Sequence, residues 1–476
     1  MSNAVDIDSI AVQATDESRM SLRNHYNQSM RKDNFVEWIK EMMHHSFVLG
    51  NTTESYTTTM EYIEELIREH RAWSGISGTA TRKTSRLKNL VPTVDVFHTE
   101  LQLKEAFTRY NGKYAMTSRK HVPPTFNEIR HILNLSQLLA IGDKLKFISF
   151  DGDQTLYSDG GNFEEKSGLS YQIIELIKAG VIICVITAAN YFHDGPKYEV
   201  RLQGLLRRFI KAGLSAEEVN RFYVVGGECN FLLQAHKREN EEGKFVARIE
   251  GVEHEVWQAD IYNGPKPSKW PQEEITKVLD IAEASFRNSQ KEMRLRARII
   301  RKPTSIGIIP GGPKMIDEVP QGHGNEKLKS EALNEVVLRA LDELNNMEQS
   351  VSFPYCAFNG GRDAWVDVGS KGVAVEALQA YFSIESESCV HIGDQFLKTG
   401  NDISARATCT TIWIENPKET FKILDHVLGI SLGLDKMERA ATEAKLDDEE
   451  NSPRSSPRNV PAKVQSMNVY TGEFEA

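Results

Sequence analysis

The chain has 476 residues, and its 57 Lys and Arg against 67 Asp and Glu give a formal net charge of −10. A content of 40% hydrophobic and 26% charged residues is ordinary for globular proteins, which excludes collagen, a coiled-coil rod and a wholly disordered chain. The acidic balance argues against non-specific nucleic-acid binding, and the length suggests two or three domains.

Cysteine usage and hydropathy indicate the cellular compartment. The five cysteines are widely spaced and form no C-x-x-C pair, so we expect neither a disulfide framework nor a cysteine zinc site. The first 30 residues contain acids and lack the apolar core of a secretory signal. The longest apolar run, 179–189, is too short to span a bilayer. We therefore expect a cytoplasmic protein that does not associate with membranes.

The first part of the chain has helical patterns and no obvious chemistry. Apolar residues recur with helical spacing over 35–43, and further helices are predicted over 62–70 and within 94–139. Residues 1–145 are therefore interpreted as a mostly helical N-terminal region.

From Phe147 onward, strands and helices alternate. Phe147–Phe150 is a short apolar run, a helix follows that ends near Gly180, and 181–186 is a second apolar run. This βαβ unit predicts a parallel sheet covered on both faces. The same alternation returns with strands over 389–392 and 410–414.

The residues between these two blocks differ in character, since they contain charged stretches, Pro-rich turns and a separate helix. A domain inserted into an α/β core is the simplest interpretation. We predict a core over 146–194 and 353–434, an α+β cap over 195–352, and a disordered acidic Ser/Pro-rich tail over 435–476.

The strongest chemical signal is the pair Asp151 and Asp153, which follows the predicted strand Phe147–Phe150. Open α/β sheets bind ligands at the carboxyl ends of their strands, so both carboxylates can approach one site there. They repel each other unless a cation neutralises them, and hard oxygen ligands favour Mg²⁺. For this pair alone, an acidic turn that caps a helix is the alternative.

Three later features point to the same edge of the sheet. Thr187 follows the strand 181–186, Lys371 opens a helix in the segment G-S-K-G, and Asp394 follows the strand 389–392. An ammonium group and a helix N-terminus can both hold phosphate. Each residue alone would be an ordinary turn or surface residue, but their order and their places at element ends favour one phosphate site.

These motifs occur in the order found in phosphatases of the haloacid dehalogenase superfamily, which the chain resembles. A closer resemblance is to the IMP-specific 5′-nucleotidase family. It rests on D-G-D-Q-T-L-Y-S-D-G-G from Asp151, I-T-A-A-N-Y from Ile186 and N-G-G-R-D-A-W-V-D-V-G-S-K-G from Asn359. The long helical region before the core also fits this family. The implied fold is α/β, a Rossmann-like haloacid dehalogenase core with an inserted α+β cap and a mostly helical N-terminal region.

The resemblance implies a phosphoric monoester hydrolase of purine nucleotide metabolism that releases inosine and phosphate from IMP, with Mg²⁺ as cofactor. Asp151 would attack phosphorus to form an aspartyl-phosphate, and Asp153 would act as general acid and then as base. Mg²⁺ would be held by Asp151, Asp153 and Asp394, and the phosphate oxygens by Thr187 and Lys371. The residues Asn401-Asp402 follow at a wider spacing than in the compact G-D-x-x-N-D form, so the sequence does not assign Asp402 to the metal site.

Recognition of the nucleoside is assigned to two acids and two aromatic residues. The resemblance favours Asp159 and Asp363 as substrate-binding residues, since carboxylates suit ribose hydroxyls. Tyr157 and Trp365 are candidates for stacking on the purine. A core aromatic residue and turn-forming acids are the alternative interpretation.

The resemblance also implies activation by ATP and assembly into a homo-oligomer, expected to be a homotetramer, with 1–145 as the regulatory and oligomerisation region. His131 is the predicted effector contact, and a packed or surface histidine is the alternative.

Two other functions remain open at the level of sequence. A phosphosugar phosphatase or phosphomutase of the same superfamily would share every core motif and differ in what its cap binds. A non-catalytic nucleotide sensor would keep the fold, but loss of the nucleophile or the acid usually accompanies that role, and both are present here.

Overall fold

The computed structural model describes residues 33–48, 52–75, 84–258, 266–311, 328–347 and 350–434. The predicted disordered tail, 435–476, lies outside the described residues. Among the residues that are described, no helix is long and apolar enough to cross a membrane.

The N-terminal region is helical wherever the structure describes it. Its helices are α1 (Asn34–Val48), α2 (Thr52–Gly75), α3 (Arg86–Leu90), α4 (Leu103–Tyr114) and α5 (Phe126–Ile141). They pack around a core of their own that includes Ile39, Met60, Ile63, Phe107 and Ile129. Helix α5 begins with a capping box, in which the side chains of Thr125 and Glu128 each accept a hydrogen bond from the other's backbone N–H.

Eleven strands are present in the described residues. In chain order they are β1 (Phe147–Phe150), β2 (Ile182–Thr187), β3 (Phe222–Gly226), β4 (Phe231–Glu239), β5 (Phe245–Val252), β6 (Ala297–Arg301), β7 (Ser305–Pro310), β8 (Tyr355–Asn359), β9 (Ala364–Val368), β10 (Cys389–Gly393) and β11 (Thr410–Trp413).

Eight more helices and a 3₁₀ turn near the acidic loop lie between or after these strands. They are α6 (Gly168–Lys178), α7 (Gly195–Lys211), α8 (Ala216–Val219), α9 (His254–Trp257), α10 (Gln272–Glu292), α11 (Ser330–Asn345), α12 (Lys371–Phe382), α13 (Pro417–Ser431) and the 3₁₀ turn Asp402–Ala407.

A seven-stranded sheet forms the centre of the molecule, in the order β11-β10-β1-β2-β3-β4-β5. The first five strands of that order are parallel, and β4 and β5 extend the sheet as an antiparallel hairpin. Every residue of β1 and β10 is buried, as expected for central strands covered on both faces. The predicted α/β fold with a Rossmann-like parallel core is therefore confirmed.

A second, antiparallel sheet has the order β6-β7-β9-β8 and packs against α10 and α11. Strand β9 ends at Val368, three residues before α12 begins at Lys371. The second sheet thus leads directly into the helix that carries one of the predicted phosphate ligands.

Sheet membership corrects the predicted boundaries between core and cap. Strands β3, β4 and β5 fall within the predicted cap, 195–352, yet they belong to the central sheet. Strands β8 and β9 fall within the predicted core, 353–434, yet they pair with β7 of the second sheet. Strand pairing between distant segments decides membership, and the local patterns of the sequence do not contain that information.

Candidate active site

Three acidic residues meet at the carboxyl edge of the central sheet. Asp151 directly follows β1, Asp394 directly follows its neighbour β10, and Asp402 opens the 3₁₀ turn beyond β10. One carboxylate oxygen from each lies within 4.8 Å of the others. The predicted residues Asp151 and Asp394 are thus brought together, and Asp402, which the sequence left unassigned, joins them.

Lys371 lies inside this acidic group. It is the first residue of α12 and is fully buried, and its ammonium donates to Oδ1 of Asp151 and, over 2.6 Å, to Oδ1 of Asp402. Burial alone would lower the pKa of Lys371, but the charges of Asp151 and Asp402 raise it above its ordinary value. The ammonium therefore stays charged and in contact with the predicted nucleophile.

Asp402 is held from three sides. Its Oδ2 accepts the backbone N–H of Gln395 at 2.8 Å, and its Oδ1 lies 3.0 Å from Nε2 of His391 as well as close to Lys371. Burial opposes ionisation of Asp402, but Lys371 and His391 lower its pKa below the ordinary value. Nδ1 of His391 in turn lies 2.9 Å from the hydroxyl of Ser149 on β1. The wider spacing after Asp394 accommodates this loop without moving Asp402 away from the site.

The acidic group fits a divalent cation. Oδ1 of Asp394 is buried and has no hydrogen-bond partner among the described residues. Burial, together with the charges of Asp151 and Asp402, holds the pKa of Asp394 well above its ordinary value. Burial also raises the pKa of Asp151 to about 7, against the lowering effect of Lys371. A cation among these oxygens would offset the repulsion and keep the carboxylates ionised.

Asp153 is not one of the three clustered acids. Its Oδ1 accepts the backbone N–H of Gly160 at 2.8 Å and lies 3.8 Å from the guanidinium of Arg201 on α7. Burial raises the pKa of Asp153, and Arg201 acts in the opposite direction. A raised pKa favours the protonated form of the carboxyl group, which is the form that a general acid needs.

Thr187 ends β2, next to the loop that carries Asp151. Its hydroxyl oxygen accepts the backbone N–H of Ala189 at 3.1 Å. Gly152 lies nearby, and a Cβ there would come within 2.5 Å of the Tyr157 hydroxyl and 3.9 Å of the Thr187 hydroxyl. A side chain at position 152 would therefore require the Tyr157 hydroxyl to shift, whereas its distance to Thr187 would be an ordinary van der Waals contact.

Comparison with known proteins identifies the family of this chain. A family model described as IMP-specific 5′-nucleotidase matches residues 19–424. IMP-specific 5′-nucleotidase 1 of Eremothecium gossypii is 38% identical over 419 residues, which cover 84% of this chain and 95% of that protein. The chain belongs to the IMP-specific 5′-nucleotidase family. The predicted family and its enzyme class, phosphoric monoester hydrolase, are thereby confirmed.

Solved structures of the family have the same fold. An IMP-bound mutant of the Plasmodium falciparum IMP-nucleotidase is 35% identical, with a TM-score of 0.73 over 85% of this chain and 96% of that one. The ATP-bound P. falciparum enzyme is 33% identical, with a TM-score of 0.70 over 91% of this chain and 95% of that one. This P. falciparum relative of the nucleotidase chain has thus been solved with IMP bound and with ATP bound.

The predicted ribose ligand Asp159 joins the core to the second sheet. Its Oδ2 accepts a hydrogen bond of 2.8 Å from Nε of Arg362, which lies in the turn between β8 and β9. Asp363, the next residue in this turn, is buried with 8% of its surface exposed. Asp159 therefore contacts the turn of the second sheet that also carries Asp363.

The two predicted stacking residues lie in different surroundings. Tyr157 is buried in the loop after β1, with the guanidinium of Arg201 located 5.7 Å from its ring centre. The Trp365 ring lies over Gly307 of the paired strand β7, where a Cβ would come within 2.6 Å of ring carbons. The ammonium of Lys302 is 4.9 Å from the centre of the Trp365 ring.

The predicted effector contact His131 lies on α5, away from the acidic group. Its Nε2 is 3.1 Å from Oε1 of Glu419 on α13, and Arg130 binds the same carboxylate at 2.9 Å. Burial opposes ionisation of Glu419, but the hydrogen bonds from His131 and Arg130 lower its pKa to about 2. These contacts attach the helical region to the catalytic core.

Several residues around the site were missed by reasoning from sequence. They are Arg201, Glu228, Lys302, Arg362 and His391. His391 precedes Asp394 within the H-I-G-D segment, and Glu228 comes two residues after a strand of the central sheet, so position offered a weak signal for these two. Arg201 and Lys302 come from segments with no motif, whereas Arg362 lies in the segment from Asn359 that carries the family resemblance.

Proposed function

We propose that this chain hydrolyses the 5′-phosphate of IMP to inosine and phosphate through an aspartyl-phosphate on Asp151. One observation carries the proposal: Lys371 bridges Asp151 and Asp402 beside Asp394, at the carboxyl edge of the sheet of a chain that belongs to this family. The names and bound ligands of its relatives support IMP as the substrate.

Asp151 would be the nucleophile. A carboxylate is a better nucleophile than water, so a covalent intermediate divides one difficult step into two easier ones. Lys371 contacts Asp151 Oδ1, so it orients this carboxylate and is within reach of phosphoryl oxygens placed beside it. The Thr187 hydroxyl, at the end of the adjacent strand β2, would bind another phosphoryl oxygen.

Asp153 would move the protons. It would protonate the leaving O5′ of inosine and then take a proton from the water that hydrolyses the aspartyl-phosphate. Gly160 and Arg201 hold its carboxyl group in the loop after β1, two residues from the nucleophile. One group can thus serve both half-reactions.

Mg²⁺ is the proposed cofactor. Asp151, Asp394 and Asp402 would hold it, and the backbone carbonyl of Asp153 would be a further ligand. When bound, the cation neutralises charge on the phosphoryl group in the transition state. The support is the chemistry of the donor set, three clustered carboxylates of which Asp394 has a buried oxygen without a hydrogen-bond partner among the described residues.

The nucleoside would lie between the two sheets, where Asp159 and Asp363 are candidates for the ribose hydroxyls. Tyr157 and Trp365 remain candidates for the base. The Lys302 ammonium beside the Trp365 ring makes the second sheet's side of this space polar as well as aromatic.

Regulation and assembly are proposed on the family resemblance. ATP is the proposed activator, supported by the ATP-bound P. falciparum relative, with His131 as a contact residue. A cytoplasmic homotetramer is proposed on the resemblance and on the cysteine usage of the chain.

The competing function is hydrolysis or transfer of a sugar phosphate on the same core. A panel of IMP, AMP, GMP and hexose phosphates, assayed with the purified chain and Mg²⁺, separates the two. We expect phosphate release from IMP to exceed that from every other compound. Faster release from a sugar phosphate would overturn the nucleotidase proposal and leave the phosphatase core in place.

A further inference from the structure

Glu228 is a buried carboxylate that the proposed mechanism does not use. It follows β3 in the segment Gly226-Gly227-Glu228, and none of its surface is exposed. Its backbone has a φ of +65°, a left-handed conformation that is unfavourable for a residue with a long side chain. Such strain persists where the surroundings hold the residue in place, and it often accompanies a functional role.

The residue joins the ends of several catalytic elements. Its backbone N–H donates to the carbonyl of Thr187 at 3.1 Å, which ties the turn after β3 to the end of β2. Its side-chain Oε1 accepts a hydrogen bond of 2.8 Å from the amide of Asn401. Glu228 therefore contacts both the predicted phosphate-binding end of β2 and the loop beyond β10.

Asn401 leads directly to the catalytic lysine. It precedes Asp402, whose carboxylate accepts the Lys371 ammonium at 2.6 Å. The same loop is fixed to the start of α12, because the Ser404 hydroxyl accepts the backbone N–H of Gly372 at 3.0 Å and donates to the carbonyl of Asn401 at 3.1 Å. A change in the position of Asn401 would therefore move Asp402 relative to Lys371.

We propose that Glu228 is a positioning residue for this reaction, which acts by holding Asn401 and so sets the Asp402–Lys371 pair against the nucleophile. The inference rests on the proposed function, since Lys371 and Asp151 must be the groups that act on the phosphate. Glu228 itself touches neither substrate nor reacting atoms in this role.

The alternative explanation is that Glu228 acts through its negative charge beside Lys371 and not through its hydrogen bond to Asn401. Two substitutions separate the explanations. Glu228→Gln keeps the length of the side chain and an oxygen that can accept from Asn401, but it removes the charge. Glu228→Asp keeps the charge and loses one methylene of reach.

The experiment measures kcat and KM for IMP and for p-nitrophenyl phosphate in the wild type and in Glu228→Gln, Glu228→Asp and Glu228→Ala. Loss of a residue that orients a ligand typically costs about 10–100-fold in activity. We expect a loss of that size in kcat for the Asp and Ala variants, little change in KM, and rescue in Glu228→Gln to within about threefold of the wild type.

Substitution of Asn401 tests whether Glu228 acts through its hydrogen bond to Asn401. If Glu228 acts through Asn401, then Asn401→Ala should lower kcat as much as Glu228→Ala, and the double variant should be no worse than either single variant. Calorimetric binding of inorganic phosphate, measured on the same proteins, should change as little as KM in all three variants, because the groups that bind the phosphate remain.

Three results would overturn the inference: Glu228→Asp more active than Glu228→Gln, losses in the double variant that multiply, or full kcat in Glu228→Ala. If Glu228→Ala does not fold, the kcat values of Glu228→Gln, Glu228→Asp and Asn401→Ala still test the inference. If the wild type does not hydrolyse IMP but still hydrolyses p-nitrophenyl phosphate, the proposed substrate is refuted. The kcat ratios among the Glu228 variants can then still be measured with p-nitrophenyl phosphate.

Discussion

The indole N–H of Trp413 donates a hydrogen bond of 2.9 Å to the backbone carbonyl of Asp394. The backbone of Trp413 is itself bound to α5, since its N–H donates to the side chain of Asn134 at 3.1 Å and its carbonyl accepts from Arg130 at 2.6 Å. The last residue of β11 therefore connects the helical region to the loop that carries a proposed metal ligand.

Trp413→Phe should weaken metal binding, because it removes the only side-chain donor of residue 413 and frees the Asp394 carbonyl. We expect the Mg²⁺ concentration for half-maximal phosphate release to rise by about 10–100-fold, as for other residues that support a ligand. Trp257→Phe is the control, since the buried Trp257 N–H has no hydrogen-bond partner among the described residues. Equal Mg²⁺ requirements in the two variants would show that the Trp413 bond does not hold the loop.

Removal of a direct ligand should have a larger effect. Chelation of divalent cations should abolish phosphate release, and added Mg²⁺ should restore it. The Mg²⁺ concentration for half-maximal phosphate release should then be more than about tenfold higher for Asp394→Asn than for the wild type. Loss of a residue that only supports a metal ligand already weakens metal binding by about tenfold or more. Asp143→Asn, at an exposed aspartate before β1, serves as the control and should behave as wild type. Full activity in the presence of chelator would contradict the assignment.

Asp159 and Arg362 should differ in their effects although they form one ion pair. Asp159→Ala should raise KM for IMP by about 10–100-fold, since a hydrogen bond to a charged group contributes about 1.5–3 kcal/mol. Arg362→Ala should change KM by less than about fivefold, because the Arg362 side chain is 47% exposed and such pairs contribute about 0–1 kcal/mol. Steady-state kinetics measure both. The reverse order would assign substrate contact to the arginine instead.

The attachment of the helical region to the core should depend on pH through Glu419. Its pKa is about 2 in the folded protein and about 4.3 when unfolded, so its ionised form stabilises the fold above the unfolded value. Glu419→Gln should lower the free energy of unfolding by about 1–3 kcal/mol at pH 7. The difference should shrink as the pH falls below about 4.

Chemical denaturation at pH 7, 5 and 3.5 measures this difference. Glu415→Gln is the control, because the Glu415 side chain is 49% exposed and only its 3.3 Å contact with Arg130 is lost. It should change the free energy of unfolding by less than about 0.5 kcal/mol. A Glu419→Gln effect that is the same at every pH would mean that ionisation of Glu419 does not stabilise the fold.

The central strands and the acids that follow them could be predicted from sequence, because both signals are local. Strand β1 is a continuous apolar run, and Asp151 comes directly after it. The register of parallel neighbours then places Asp394 beside Asp151, since the end of β10 lies next to the end of β1. The apolar runs and the alternation of strands and helices were therefore sufficient to predict that Asp151 and Asp394 lie close together.

The partners of β3 and β9 could not be predicted in the same way. Strand β3 pairs with β4, the next strand in sequence, whereas β9 pairs with β7, which lies more than 50 residues earlier. The residues of β3 and β9 do not indicate whether the partner strand is near or distant in sequence. Glu228 was missed for the same reason. Its partner Asn401 is 173 residues away, so its contact exists only in the folded chain.

The most direct test of the proposed activity is phosphate release from IMP by the wild type and by Asp151→Asn, with Mg²⁺ present, in parallel with AMP. The account predicts release from IMP far above that from AMP in the wild type. It predicts none above background in Asp151→Asn, with an unchanged circular dichroism spectrum. Near-wild-type release by Asp151→Asn, or equal turnover of IMP and AMP by the wild type, would contradict it.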